Sequence, residues 1–169
     1  DPIRNFSARE KLRNLQQQTQ IPLLAGAILD DDVLSNAAVL FDHRGSVQST
    51  YIKRYLTPFG EYIPLRSLAS MISPHVERVT DFTPGKNFVS HEIHNQRIST
   101  VICYEILSDQ IFRESAANSG IIAVLTNSAT FAGSAEGDQQ LAITRIRAIE
   151  SGRNIVSVST TGPSAFISY

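Results

Sequence analysis

The order of segments in this sequence predicts an α/β layered domain, with helices packed on a sheet. Short apolar runs typical of buried strands alternate with amphipathic stretches typical of helices. At 169 residues the chain has the size of one domain and is long enough to bury a core. A hydrophobic fraction of 42% and a charged fraction of 18% favour a globular chain over a disordered one. We therefore treat residues 1–169 as one domain.

The first third of the chain predicts one helix and three strands. The helix is expected over residues 7–19, where Leu12 and Leu15 supply an apolar stripe. The run IPLLAGAIL, residues 21–29, is typical of a buried strand. The runs AAVLFD and SVQSTYIK flank HRG and predict a hairpin with Gly45 in its turn.

The second half predicts further alternating strands and helices. Strands are expected at RISTVICYE, at IIAVLTN and in the two final runs NIVSVSTT and SAFISY. Helices are expected over residues 109–120 and 138–153. For the later helix we expect a start at a capping Asp138, an end at Gly152 and one face formed by Leu141, Thr144, Ile146 and Ile149.

The composition argues against several classes of protein. A net charge of -1 without a basic stripe gives no case for a nucleic-acid partner. A single cysteine makes no internal disulfide and leaves a zinc cluster without its usual thiolates, so we expect no metal. No apolar run approaches the roughly 20 residues that span a bilayer, and no signal peptide is visible, so we expect a soluble piece.

Polar residues with catalytic chemistry occur first in the segment YIKRYLTPFGEYIP, residues 51–64. Lys53 ends a predicted strand, and Glu61 lies in the loop that follows. A lysine desolvated beside an apolar strand would stabilise a developing oxyanion. The alternative is that both are surface charges, as most lysines and glutamates are, and the segment alone favours this alternative.

The second candidate is Cys103, at the end of a predicted strand. A thiol becomes a good nucleophile when a base or a cation lies nearby, but a free cysteine is also a common small core residue. No histidine has a spacing to Cys103 that indicates a Cys–His pair, and all of them fall in polar, loop-like stretches: His43, His75, His91 and His94. The cysteine alone therefore favours a structural role.

The two motifs together resemble the nitrilase, or carbon–nitrogen hydrolase, superfamily. K-x-x-L-x-P-F-G-E-Y-I-P is followed by I-C-Y-E, with the cysteine 50 residues after the lysine. Within the superfamily the sequence is similar to bacterial apolipoprotein N-acyltransferases over nearly all of its length. The resemblance implies an α-β-β-α sandwich, of which residues 1–169 form a partial domain truncated at both ends.

The resemblance also implies a Glu–Lys–Cys catalytic arrangement. Cys103 falls on the nucleophile and Lys53 on the lysine that stabilises the tetrahedral intermediate. If Lys53 also lowers the thiol pKa, we expect Cys103 to react with an alkylating agent faster than a model thiol near neutral pH. Glu61 falls on a glutamate that supports the site. Tyr104 and Glu105 fall on the neighbours after the nucleophile, as supporting or substrate-binding residues.

The activity implied by the resemblance is acyl transfer without a cofactor. The thiol takes an acyl chain from a phospholipid as a thioester and passes it to the free amine of a diacylglyceryl-cysteine lipoprotein. The implied location is the extracytoplasmic face of a bacterial cell membrane, reached through membrane segments outside this chain. Two alternatives stay open: a soluble amidase or nitrilase that uses water as acceptor, and a non-catalytic binding or structural module.

The sequence departs from the acyltransferase pattern in two places. The family's general base is a glutamate in a W-P-E segment that stands before the stretch aligned with DPIRNF. We therefore expect the chain as printed to lack the base and not to turn over. The family also often has an aspartate and a tryptophan in the region of Ser128 to Thr130, where this sequence has neither.

Overall fold

A computed structural model describes residues 6–30, 32–66, 81–129 and 133–169. Two β-sheets and three α-helices make up this part of the chain. The helices are α1 (Phe6–Thr19), α2 (Asp109–Asn118) and α3 (Glu136–Ser151), and a short 3-10 helix covers Cys103–Leu107. Within the described ranges no helix has the length and apolarity needed to cross a bilayer.

The first sheet is antiparallel and follows chain order, with β1 (Leu23–Asp30), β2 (Leu34–Phe41) and β3 (Val47–Ile52). The turn between β2 and β3 holds Gly45 at a φ of 82°, a conformation that glycine adopts without strain. This confirms the predicted hairpin. Gln16 in α1 donates a 2.6 Å hydrogen bond to the carbonyl of Asp42, which ties that helix to the end of β2.

The second sheet is mixed and places three carboxyl-terminal strand ends along one edge. Its strands, in order across the sheet, are β4 (Ser90–Ile93), β5 (Gln96–Ile102), β6 (Ile121–Thr126), β7 (Asn154–Ser159) and β8 (Ala165–Ile167). The central three are parallel and the outer two antiparallel to their neighbours. The crossovers between parallel strands run through α2 and α3. The carboxyl ends of parallel strands are a common position for binding sites.

The two sheets pack face to face, and α2 and α3 lie against the second sheet. Between the sheets, Ala38 and Tyr51 pack with Ile102 in a buried cluster. On the helix side, a larger buried cluster joins the second sheet to the helices: Val101, Ile106, Phe112, Ala116, Ile122, Val124, Ala148 and Ile155. Two sheets within helical layers are the α-β-β-α arrangement that the sequence led us to expect.

The expected start and face of the last helix are wrong. It begins at Glu136, so Asp138 lies inside its first turn instead of capping it. The helix buries Thr144 and Ala148, one turn apart, while Ile146 and Ile149 are 64% and 73% exposed. Its end at Gly152, with φ of 62°, is confirmed. Of the departures from the family pattern, the one at Thr130 lies outside the described residues.

One histidine does not lie in a polar loop as expected. His91 is on β4 and fully buried, with Nδ1 2.7 Å from the hydroxyl of Ser49 on β3. Its Nε2 has no hydrogen-bond partner among the described residues. Burial lowers the pKa of His91 from 6.5 to about 4, so the folded chain holds it neutral at mildly acidic pH. His75 lies outside the described residues.

We expect this histidine to make folding stability depend on pH. Below pH 6.5 His91 binds a proton in the unfolded chain but stays neutral in the folded chain. The free energy of unfolding therefore falls as the pH drops from 6.5 toward 4. A pKa shift of this size corresponds to about 3 kcal/mol at most. In urea unfolding at pH 4.5 and 7, His91→Gln should flatten this dependence. His94→Asn, in the exposed turn of the same hairpin, should leave it unchanged; equal profiles for both variants would contradict the assignment.

Candidate active site

Lys53 lies at the end of β3 with its backbone fixed on both sides. Its N–H donates to the carbonyl of Asn36 at 2.8 Å, and its carbonyl accepts from the N–H of Gly85 at 2.8 Å. Because strand residues alternate between faces, Lys53 points to the same side as Tyr51, between the sheets. Each of these two side chains is 1% exposed. The position in the strand, and not the polarity of lysine, therefore decides its burial.

The ammonium of Lys53 is paired inside this core. It lies 2.5 Å from a carboxylate oxygen of Glu61 and donates to the hydroxyl of Thr57 at 2.9 Å. Glu61 also accepts from the N–H of Thr57 and from the side-chain amide of Asn36, each at 2.7 Å. Burial alone would raise the pKa of Glu61, but these hydrogen bonds and the charge of Lys53 outweigh burial and hold the pKa below its ordinary value. The alternative that both residues are surface charges is wrong.

A close backbone contact holds Lys53 in place. A Cβ added at Gly85 would lie 2.3 Å from the carbonyl oxygen of Ile52, closer than atoms can approach. The segment 81–85 can therefore pair with the end of β3 only because residue 85 is glycine.

We expect Gly85→Ala to push this segment off β3 and to release the backbone of Lys53. Forced overpacking of this kind costs about 1–3 kcal/mol. Gly26→Ala is the matched control, because a Cβ there meets no atom within 4 Å. Denaturant unfolding should show the loss for Gly85→Ala and a change within about 0.5 kcal/mol for Gly26→Ala. Similar values for the two variants would show that the contact is not needed.

Cys103 directly follows β5, at the carboxyl edge of the parallel strands. It is half-buried and begins the 3-10 helix. Its φ of 51° lies in the left-handed region, which residues other than glycine, asparagine and aspartate rarely adopt. Such conformations cost of order 1–3 kcal/mol and concentrate at functional sites. A cysteine that only filled core space would not require this turn.

Three charged side chains act on the thiol. Burial raises the pKa of Cys103 above its ordinary value, and the charges of Glu136 and Glu61 raise it further. The charge of Lys53 and a backbone hydrogen bond lower it but do not prevail. Lys53 therefore lowers the thiol pKa as expected, but desolvation outweighs the lysine and the net pKa lies above its ordinary value. At neutral pH the sulfur holds its proton and needs an acceptor for it before it can attack.

A buried carboxylate connects the loop that follows Lys53, here called the lysine loop (residues 53–64), to the turn that begins at Cys103, the candidate nucleophile. Glu105 is 0% exposed, and its two oxygens are fully engaged. Oε1 accepts from the Tyr51 hydroxyl at 2.8 Å and from the N–H groups of Arg54 and Tyr55 at 2.7 and 3.1 Å, and Oε2 accepts from the N–H of Ile102 at 2.9 Å. The carboxylate thus fixes the start of the lysine loop against the end of β5.

Tyr104, the residue after Cys103, also contacts the lysine loop. The ring of Tyr104 stacks on Tyr55 with centroids 5.6 Å apart and planes inclined by 12°. Arg54, on the same loop, forms a 2.7 Å ion pair with Glu114 on α2. The structure therefore brings together all five residues that the sequence singled out, although their roles stay predictions.

Several residues at this site were missed by sequence reasoning. Gln140 on α3 donates to the carbonyl of Cys103 at 3.4 Å and to the Thr126 hydroxyl at 2.7 Å. Asn36 and Thr57 complete the lysine pair, as described above. A polar residue inside the run LSNAAVLF marks Asn36 in hindsight, whereas nothing local distinguishes Gln140. In the described ranges, no group of three or more His, Cys, Asp or Glu side chains has a geometry that could hold a metal ion.

Comparisons with known proteins indicate one family. The carbon-nitrogen hydrolase family model matches residues 4–169. An apolipoprotein N-acyltransferase from Mycolicibacterium smegmatis is 30% identical over 175 residues, covering 99% of this chain and 29% of that protein. One from Pasteurella multocida is 31% identical over 162 residues, covering 89% of this chain and 31% of that protein. The chain thus spans under a third of the length of these relatives.

Solved structures show the same fold. An amidase mutant from Nesterenkonia sp. AN1, with the acetamide moiety of fluoroacetamide covalently added at its active-site cysteine, superposes with a TM-score of 0.66. It is 22% identical in sequence, and the match covers 95% of this chain and 56% of that one. A family match over almost the entire chain and a shared two-sheet architecture lead to one conclusion: the chain belongs to the carbon-nitrogen hydrolase family.

Proposed function

We propose that this chain carries the nucleophile of an apolipoprotein N-acyltransferase. The observation that carries the proposal is the buried Lys53–Glu61 pair beside a half-buried cysteine held in a left-handed conformation. A thioester on Cys103 divides one difficult acyl transfer into two easier steps. The names of the relatives support transfer of an acyl group to the nitrogen of an apolipoprotein, and the resemblance implies a phospholipid as the donor.

In the first step the Cys103 thiol loses its proton and attacks an ester carbonyl of the phospholipid. The C–S bond forms, and the ammonium of Lys53 stabilises the negative oxygen of the tetrahedral intermediate. The ester C–O bond then breaks, and the leaving alkoxide takes up a proton to release a lysophospholipid. Glu61 holds Lys53 in place through their ion pair. Because Lys53 already neutralises Glu61, we assign the thiol proton to the glutamate of the W-P-E segment that the resemblance implies.

In the second step the free amine of a diacylglyceryl-cysteine attacks the thioester, and the lipoprotein is released as the N-acylated amide. Donor and acceptor are both lipids, so the reaction requires access to a bilayer. We place the site at the extracytoplasmic face of a bacterial cell membrane, with attachment through segments outside residues 1–169.

A soluble amidase is the second candidate, since an amidase shares the fold. It would use the same Cys103 and Lys53, with an amide as acyl donor and water as acceptor. The two functions differ in what leaves the thioester, an N-acylated peptide or a free acid.

The test uses the longest reading frame that encodes this chain, purified and mixed with phospholipid and a diacylglyceryl lipopeptide. We expect an N-acylated lipopeptide, and none from Cys103→Ala. Hydrolysis of short amides without acyl transfer would favour the amidase, and neither activity would favour the non-catalytic module.

A further inference from the structure

A carboxylate beside the nucleophile has no role in the chemistry described so far. Glu136 is the first residue of α3. Its Oε2 atom is buried from solvent and receives no hydrogen bond from any described residue. An unpaired buried carboxylate oxygen is costly, so its presence next to a reactive centre requires an explanation.

The position of α3 directs Glu136 toward the thiol. Gln140 lies one turn further along the helix on the same face, and its side chain donates to the carbonyl of Cys103 at 3.4 Å. The negative charge of Glu136 raises the pKa of the Cys103 thiol, which places the carboxylate within electrostatic reach of the sulfur.

The two cations Lys53 and Arg54 are each engaged with another carboxylate. Lys53 is paired with Glu61 at 2.5 Å, and Arg54 is paired with Glu114 at 2.7 Å. Cys103 therefore has a carboxylate paired with Lys53 on one side and, on the α3 side, a carboxylate whose Oε2 receives no hydrogen bond from the described part of the chain. An uncompensated carboxylate in a partly dry cleft favours a cationic group that donates hydrogen bonds.

We propose that Glu136 binds the amino group of the acceptor and holds it against the thioester on Cys103. The inference rests on the proposed acyltransferase function, in which the acceptor is an amine that is mostly protonated at neutral pH. The phospholipid half-reaction does not require this contact.

The step balances with groups at the site. The acceptor ammonium passes one proton to the Glu136 carboxylate, and the neutral nitrogen attacks the thioester carbon. A C–N bond forms, the C–S bond breaks, and the electron pair returns to sulfur. The nitrogen gives its second proton to the departing thiolate, which regenerates the Cys103 thiol. Glu136 then releases its proton to solvent.

The charge of Glu136 also has a structural effect, because a carboxylate in the first turn stabilises a helix. Asp138 lies in the same first turn and is exposed. Asp138→Asn therefore removes a comparable charge from the helix start and serves as the matched control for Glu136→Gln.

The experiment separates the two half-reactions in the protein from the longest reading frame. The enzyme is first incubated with phospholipid alone, and the acyl-thioester is measured by intact mass. The lipopeptide acceptor is then added, and the decay of the thioester is followed. For Glu136→Gln we expect thioester formation no slower than in wild type, because the substitution removes a charge that raises the thiol pKa, and acceptor-dependent decay slowed by about 10²-fold. Glu136→Asp should recover part of the rate, and Asp138→Asn should match wild type.

Three results would overturn this role. Decay of the thioester at the wild-type rate in Glu136→Gln would show that the carboxylate does not handle the acceptor. If Glu136→Gln slows formation and decay of the thioester in parallel, the substitution acts through the structure of the helix start. Equal slowing of the decay in Asp138→Asn would show the same. A wild-type protein that forms no thioester would overturn the acyltransferase function itself, and this role with it.

Discussion

Replacing Lys53 with methionine is expected to slow acyl transfer strongly and to destabilise the fold at the same time. The ammonium is 1% exposed and pairs with Glu61, so its loss leaves a carboxylate buried without a counter-charge. Removing one partner of such a pair costs about 3–5 kcal/mol. Loss of the oxyanion stabiliser reduces the rate by a further 10²–10³-fold, roughly the effect of deleting one oxyanion donor. Denaturant unfolding and the acyl-transfer assay measure the two effects.

A double variant distinguishes loss of the pair from loss of packing. Lys53→Met with Glu61→Gln removes both charges, so it should be more stable than Lys53→Met alone but remain slow in acyl transfer. The pKa of Glu61 lies below its ordinary 4.5, so the pair stabilises the fold above that pH, and this contribution is lost as pH falls through the folded-state pKa. Without Lys53, burial of Glu61 is opposed by fewer favourable contacts, and its charge is costly only where the carboxyl is ionised, so the gain from the second substitution should be largest at neutral pH. No gain there would contradict a stabilising ion pair.

Replacing Glu105 with glutamine is expected to cost about 3 kcal/mol, although the side chain keeps its shape. The carboxylate accepts from one hydroxyl and three backbone N–H groups, and a glutamine turns an NH₂ group toward some of these donors. The loop that begins at Lys53 should then separate from the end of β5. Thermal or denaturant unfolding measures the loss.

Glu114→Gln provides the comparison for that variant. Glu114 pairs with Arg54 next to the same loop, but its side chain is 38% exposed. An exposed ion pair contributes at most about 1 kcal/mol. Equal destabilisation by the two substitutions would show that Glu105 is not the residue that joins the loop to the nucleophile turn.

The sequence predicted the strands and helices well where their pattern is local. The hairpin around Gly45 and the end of the last helix at Gly152 follow from turn and cap chemistry over a few residues. The face of that helix was not predicted correctly, because Ile146 and Ile149 are apolar yet exposed. Apolar periodicity shows where a helix lies more reliably than which side it buries.

The site was predictable only in part. Two motifs identified Lys53, Glu61 and Cys103, but the polarity of lysine and glutamate gave no indication that both are buried. Lys53 is buried because it lies on the same face of the first sheet as Tyr51, and the second sheet packs against that face. Glu136 comes from a helix that follows a different strand, so no local pattern connects it with the nucleophile.

The central claim is that Cys103 becomes acylated. The most direct measurement is the intact mass of the longest-reading-frame protein after incubation with phospholipid, followed by peptide mapping. We expect one acyl chain on Cys103, removable by hydroxylamine as a thioester is, and no such adduct in Cys103→Ala. An unmodified Cys103 under conditions of acyl transfer, or an acyl chain on another residue, would contradict it.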